Sequence, residues 1–370
     1  MDFRWSEDLL ALREQAQTFA DQATAHIDIL EDSWLVGYSR EVSQQLGDRG
    51  WLGTTWPTEV GGGGKSSLYR FVLAETLISA GVPVAASWFA DRQIGPVLLG
   101  YGTAAQQQQF LPDILAGRSS WCIGMSEPDA GSDVAGIRTQ AVRDGSDFVV
   151  NGAKVWTSFA AVADWCYLIC RTNPDSTVPG HRAMSELIVD MSTPGIKVSP
   201  IRDMTDSSHF CEVIFENVRV PADHLVGTLH GSFGQTMRQL EHERGGIDRL
   251  ASNAALYRDT LKSLDTATLE SPVVRQSIAA IESRYSIGRL MVLREVLGQA
   301  PPSFSAATKT WCTEFEQTVA TFCAAHNGAD SMLWNRVARG VCYAPAYTIM
   351  GGTTQVLRNI IAERVLGLPR

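Results

Sequence analysis

The sequence predicts a mainly α-helical chain with a β-domain set between two helical regions. Three observations carry this. Apolar residues recur at helical spacing up to about residue 118. From about 120 to 228 the texture changes to short β-rich runs punctuated by Gly and Pro. From about 231 helical spacing returns and holds to the end. The expected division is a helical domain at 1–119, a β-domain at 120–228 and a helical bundle at 229–370. A chain of 370 residues is long for one core, which agrees with such a division.

In the first region Leu9, Leu10, Leu12, Ala16, Phe19 and Ala20 form an apolar stripe. Val42, Leu46 and the stretch from Leu68 to Leu77 continue it. Trp56-Pro57 and Gly61-Gly62-Gly63-Gly64 are turn signals. In the middle region Asp147–Gly152 follows an Asp144-Gly145 turn. Trp165–Arg171, Glu186–Met191 and Glu212–Val220 are further strand-like runs. The last region opens with an expected helix from about Phe233 to Ala255, and Pro301-Pro302-Ser303 marks a loop within it.

Composition narrows the function. Hydrophobic residues make up 45% and charged residues 19%, an ordinary globular balance. A net charge of −9 argues against general nucleic-acid binding. The start of the chain lacks a basic-then-apolar signal pattern, and no run approaches the roughly 18 apolar residues that span a bilayer. Seven cysteines are scattered along the chain. Cys166 and Cys170 share one face of a strand as core residues, and no second ligand pair lies near them, so metal is not expected. The setting reads as reducing and cytoplasmic.

Gly61–Gly64 before Lys65-Ser66 resembles a phosphate loop, but Glu59 occupies the position that needs a glycine, so a turn is the better reading. The run Gly124-Met125-Ser126-Glu127-Pro128-Asp129-Ala130-Gly131-Ser132-Asp133 is rich in backbone donors and short hydroxyls and lies where helix gives way to strand. It reads equally as a loop approaching an oxygen-rich ligand or as an ordinary turn. In Asn151–Ser158, Trp156 offers a flat face to a conjugated ring, although a core Trp on a hairpin is the plainer reading.

The helix expected at 233–255 carries Phe233, Met237, Leu240, Ile247, Ala251 and Ala254 on one stripe. At about 100° per residue Glu243 falls roughly 60° to one side of Leu240 and Arg244 about 40° to the other. His242 and Arg249 are expected to point outward. Charges at an apolar face are costly unless paired or used, and such a wall raises a carboxyl pKa towards that of a working base. Gly245-Gly246 follow at once. Each costs on the order of 1 kcal/mol inside a helix, which suggests that something large needs the space.

Taken together these segments resemble the acyl-CoA dehydrogenases over nearly the whole chain. The carriers are Ser126–Asp133, Asn151–Ser158 and the C-terminal Gly351-Gly352-Thr353-Thr354-Gln355-Val356-Leu357-Arg358-Asn359-Ile360-Ile361-Ala362-Glu363-Arg364, in the expected order and spacing. The resemblance implies an N-terminal helical domain, a middle β-barrel or sandwich and a C-terminal four-helix bundle, with FAD between the last two. It implies that Met125 and Ser126 contact the flavin pyrimidine end, that Trp156 flanks the isoalloxazine and that Ser158 reaches its N5 region. Ser132 is implied at the CoA phosphates or the FAD pyrophosphate, and Thr353 and Gln355 at the ADP half of FAD.

Two departures from the family pattern are informative. Many members place the catalytic glutamate directly before the Gly-Thr of the C-terminal motif, and here that position is Gly351. Some carry the base on the first bundle helix before an arginine. Glu243 stands at that position, and the resemblance implies Arg244 beside it at the substrate. Members also often supply Arg-x-x-Phe-Gly and Gln-x-x-Gly-Gly-x-Gly segments to a neighbour's FAD. Leu261–Gln276 lacks the first, and Phe322–Gly328 stands in place of the second. This is similar to the bacterial heteromeric branch that handles bulky acyl-CoAs such as steroid side-chain thioesters.

The implied reaction is α,β-dehydrogenation of an acyl-CoA to the trans-2-enoyl-CoA. Glu243 takes the α-proton as hydride passes to flavin N5, and electrons leave to an electron-transfer flavoprotein. Hydrogen bonds from the flavin ribityl hydroxyl and a backbone N–H to the thioester carbonyl are implied, worth about 3–4 kcal/mol each. The partner is a second acyl-CoA dehydrogenase-like subunit in a heterotetramer, or a further copy of this chain. Two alternatives stand beside this: an acyl-CoA oxidase or other flavin chemistry on the same scaffold, and a non-catalytic subunit completing a neighbour's FAD site. Oxygen reactivity of the reduced enzyme separates the first. A colourless chain, inactive even with its partner, would support the second.

Overall fold

The computed structural model describes residues 4–29, 33–175, 177–244 and 246–369, and the side chains of 239–244 lie outside that description. In chain order come α1 (Glu7–Thr24), α2 (Arg40–Asp48), α3 (Ser67–Ser79), α4 (Ala85–Phe89), a π turn at Ala90–Ile94, α5 (Gly95–Tyr101) and α6 (Ala104–Leu115). The strands are β1 (Trp121–Gly124), β2 (Gln140–Asp144), β3 (Asp147–Ser158), β4 (Trp165–Arg171), β5 (Met184–Asp190), β6 (Ile196–Ile201), β7 (Phe210–Pro221) and β8 (Leu225–Val226). Helices then return: α7 (Phe233–Arg244), α8 (Asp248–Ala251), α9 (Ala254–Ser263), α10 (Thr266–Glu270), α11 (Pro272–Val296), α12 (Ser305–His326), α13 (Arg336–Tyr347) and α14 (Thr354–Ile360). The architecture is therefore helical, then β, then helical.

Contacts gather into two units, one of residues 1–38, 65–85 and 241–370, the other of 39–64 and 86–240. In the helical unit α1 buries Leu9, Leu12, Ala16, Phe19 and Ala20. Leu10 is exposed, because it sits about 130° round the helix from the centre of that stripe. Arg289 of α11 and Arg13 of α1 both pair with Glu75 of α3. Both guanidinium groups also lie over the Trp5 ring, at 5.3 and 5.2 Å. The long α12 is the hub. It packs against α8, α9, α11, α13 and α14 and buries Thr308, Cys312, Phe315, Val319 and Cys323.

In the other unit the strands form one eight-stranded sheet in the order β6-β7-β3-β2-β4-β5-β8, with β1 added parallel to β4. The run Trp165–Cys170 is apolar throughout because both its faces are covered. Cys166, Leu168 and Cys170 enter a core shared with Phe148, Val150, Val213 and Phe215. Tyr167 and Ile169 face the opposite way, into a core with Phe110, Leu111 and Ile114 of α6. The expected common face of Cys166 and Cys170 is thus present. β1, with only four residues, and β2, β6 and β8 are not among the strands expected from sequence. β2 and β6 are half-exposed and β8 has only two residues, so none shows a sustained apolar pattern.

The expected helix from Phe233 to Ala255 is instead three helices, α7, α8 and α9. The break falls between Arg244 and Asp248, in a stretch whose sequence holds two adjacent glycines of low helix propensity. The continuous wheel therefore fails beyond it. Arg249, expected to point outward, is 3% exposed, with its guanidinium 5.1 Å from the Trp34 ring and 3.7 Å from the buried Asp248 carboxylate. No helix of the described residues is long and apolar enough to cross a membrane.

Candidate active site

The flavin-facing residues expected from sequence meet on β3 and the loop after β1. β3 pairs with β7 but loses register between Lys154 and Thr157. At this bulge Trp156 takes a left-handed φ of 59°, a conformation rare for a bulky residue. The kink turns the indole outward. Trp156 is 55% exposed and touches Phe210 edge-on at 5.8 Å. It is not a core tryptophan. Ser158, two residues on, is half-buried. The neighbouring Val155 N–H donates to the Ser126 carbonyl at 2.9 Å, which sets the Met125-Ser126 segment beside the bulge. Met125 and Ser126 are half-buried there.

A buried ion pair holds this junction, and the sequence reading gave neither member a role. The Lys154 side chain is 0% exposed. Its Nζ donates to the Glu127 carboxylate at 2.8 Å and to the Met125 carbonyl at 2.9 Å. Glu127 also accepts from the backbone N–H of Arg138 at 2.6 Å and of Thr139 at 2.9 Å. Burial pushes the Glu127 carboxyl up, but the Lys154 charge and these hydrogen bonds outweigh it and hold it below the usual range. Burial draws the Lys154 ammonium down, against the opposing pull of Glu127. The only prior signal was the placement of one lysine and one glutamate inside the two motifs.

Beyond the bulge the chain turns again. Phe159 has a φ of 60° and donates its N–H to the His209 carbonyl at 2.7 Å. The His209 ring lies against Phe210, centroids 3.9 Å apart, and Phe159, 5.7 Å apart. Burial takes its pKa down to about 4, against the raising effect of Asp203. Ser132 is exposed on the loop beyond the Glu127–Ala130 turn.

The C-terminal motif is built in the helical unit. Gly351 and Gly352 have φ of 64° and 98°, the left-handed region that favours glycine. The position of Gly351 is therefore a backbone turn. Thr353 caps α14, accepting from the Val356 N–H at 3.2 Å, and Gln355 is exposed. Lys309 of α12, also fully buried, donates to the carbonyls of Tyr347 at 3.1 Å and Gly352 at 2.7 Å and so ties down the glycine turn. The sequence reading missed Lys309, because it lies far from the motif along the chain. Glu243 and Arg244 form the last turn of α7, and their side chains lie outside the described residues.

Family models cover these segments in order. The acyl-CoA dehydrogenase N-terminal domain matches residues 6–118, the middle domain 122–218 and the C-terminal domain 233–366. The chain belongs to the acyl-CoA dehydrogenase family. It is 33% identical over 345 residues to acyl-CoA dehydrogenase IpdE1 of Mycobacterium tuberculosis, covering 90% of this chain and 88% of that one. To acyl-CoA dehydrogenase FadE26 of the same organism it is 33% identical over 359 residues, with the same coverage. Among solved structures it is similar to the Tcur3481-Tcur3483 steroid ACAD, with a TM-score of 0.90 and 31% identity over 100% of both chains. It is also similar to the ChsE4-ChsE5 complex from Mycobacterium tuberculosis, with a TM-score of 0.88 and 29% identity over 100% of both chains. As an acyl-CoA dehydrogenase the protein is an oxidoreductase of a flavoprotein family.

The residues present suit a flavin. An acyl-CoA dehydrogenase needs a flat apolar surface beside hydroxyl donors, and Trp156 with Ser126 and Ser158 provides both. The exposed indole is unexplained by packing, since a core role would bury it.

Proposed function

We propose that this acyl-CoA dehydrogenase binds FAD and removes the α- and β-hydrogens of a bulky, steroid-type acyl-CoA to leave the trans-2-enoyl-CoA, with Glu243 as the base. The observation that carries the reading is Trp156, left-handed, exposed and set beside Ser126 by the Val155 hydrogen bond. Bound FAD supplies the hydride acceptor. The protein's part is to hold it: Trp156 flanks the ring, Met125 and Ser126 meet its pyrimidine end, and Ser158 donates near N5. Thr353 and Gln355 meet the ADP half, and Ser132 reaches a phosphate. Glu243 takes the α-proton, with Arg244 next to it at the substrate. Gly351 has no side chain to offer, which supports α7 as the source of the base.

The named relatives support the substrate and assembly. Two of the similar structures are two-component proteins, one of them a steroid enzyme. We therefore propose a heterotetramer with a second acyl-CoA dehydrogenase-like subunit, with an electron-transfer flavoprotein as acceptor. A cytoplasmic setting fits seven free cysteines, six of them buried. The test is Glu243→Gln in the complex. FAD content and folding stay intact and dehydrogenation drops by several orders of magnitude. Near-normal turnover overturns the base assignment.

A further inference from the structure

We propose that Glu186 is a positioning residue for the base: it fixes the first turn of α7 to the sheet and so sets the approach of Glu243. The inference rests on the reading of Glu243 as the base. Glu186 lies on β5, opposite Val226 of β8, and is fully buried. The residues that follow it along the strand, Leu187, Ile188 and Val189, are the aliphatic residues that such a position ordinarily holds. A carboxylate there is costly unless its oxygens are used.

They are used by the helix. Gln235 Nε2 and Thr236 Oγ1, adjacent residues of α7, donate to different oxygens of the Glu186 carboxylate. Tyr167 of β4 donates its hydroxyl to one of these oxygens at 2.5 Å. Gln235 also donates to the Val226 carbonyl at 3.1 Å, so it ties α7 to both strands. No cation pairs with Glu186 among the described residues. Its partners are these three donors, two of them on the helix. An aliphatic side chain would fill the sheet equally well but would not hold Gln235 and Thr236.

The geometry explains why this matters at a distance. Two residues about 100° apart on a helix, bonded to the two oxygens of one rigid carboxylate, fix both rotation and axial position. Glu243 follows Thr236 by two helical turns, about 10.5 Å along the axis and within about 20° of the same face. Any rotation at the clamp is carried along α7 to the base. A misplacement of about 1 Å can cost on the order of 100-fold in rate.

The test uses the FAD-loaded complex. Glu186→Gln keeps the volume but turns one acceptor oxygen into a donor facing other donors. Thr236→Val removes one of the two helix contacts and serves if the first variant is poorly folded. Both are expected to keep FAD content, with kcat reduced about 10- to 100-fold. Single-turnover flavin bleaching reads the slow variants. In that assay Glu186→Gln adds little to Glu243→Gln, because both act on one step. Unchanged kcat in Glu186→Gln and Thr236→Val, with Glu243→Gln inactive, overturns this proposal alone. Losses that multiply in the double variant also overturn it, by assigning Glu186 a merely structural role. Full turnover in Glu243→Gln removes the base reading, whatever Glu186→Gln does.

Discussion

Replacing Lys154 by Met should unlock the junction that presents Trp156. The substitution removes a cation from a pair in which the lysine is fully buried and Glu127 nearly so. Glu127 would keep its two backbone donors from Arg138 and Thr139, and the Met125 carbonyl would lose the Nζ donor. Removing one partner of a buried pair costs about 3–5 kcal/mol, because the other charge stays desolvated. For a unit of this size that corresponds to a fall in thermal midpoint of about 6–20 °C. Scanning calorimetry of the FAD-loaded protein measures the fall, and flavin absorbance measures retained FAD. The double variant Glu127→Gln with Lys154→Met leaves no buried charge and should recover part of the loss. A fall below about 2 °C with normal FAD content would refute the reasoning, as would a double variant no better than Lys154→Met.

Trp156→Ala should leave the thermal midpoint of the FAD-free protein unchanged, since the indole is largely exposed, and weaken FAD about 2- to 13-fold, from about 0.5–1.5 kcal/mol of aromatic contact. Fluorescence titration with FAD checks it, and unaltered affinity counts against the stacking role. His209 predicts an acid-side loss of stability. Its folded pKa of about 4 lies below the ordinary 6.5, so its contribution is present above about pH 6.5 and is lost as pH falls towards 4. His209→Gln should flatten the fall of the thermal midpoint across that window, by up to about 1.4 kcal/mol per pH unit. An identical slope in the variant would assign the acid sensitivity elsewhere.

Much of the fold is legible in local pattern. Trp165–Arg171 is a strand with the bounds its run suggests, and the helical stripes of α1, Leu10 apart, and α3 lie where their periodicity puts them. Pattern failed where a period was carried across a break. One wheel drawn through Gly245-Gly246 turned Arg249 outward, whereas α8 begins a new helix and buries it. Edge strands such as β6, half-wet on both faces, leave no period to read.

The site divides in the same way. The sequence by itself determined the family, through three motifs in order, and with it the expectation that Met125, Ser126, Trp156 and Ser158 face a flavin. It also determined that Gly351 is no base. Only the tertiary structure decided what holds these residues in place. Lys154 reaches Glu127 across two strands' worth of chain, Lys309 reaches Gly352 from another helix, and Glu186 takes hold of α7. Each is a charged residue whose value comes from a partner far away in sequence. Side-chain periodicity records which face a residue occupies, but a buried charge is explained only by the atom it meets, and that meeting is made by folding.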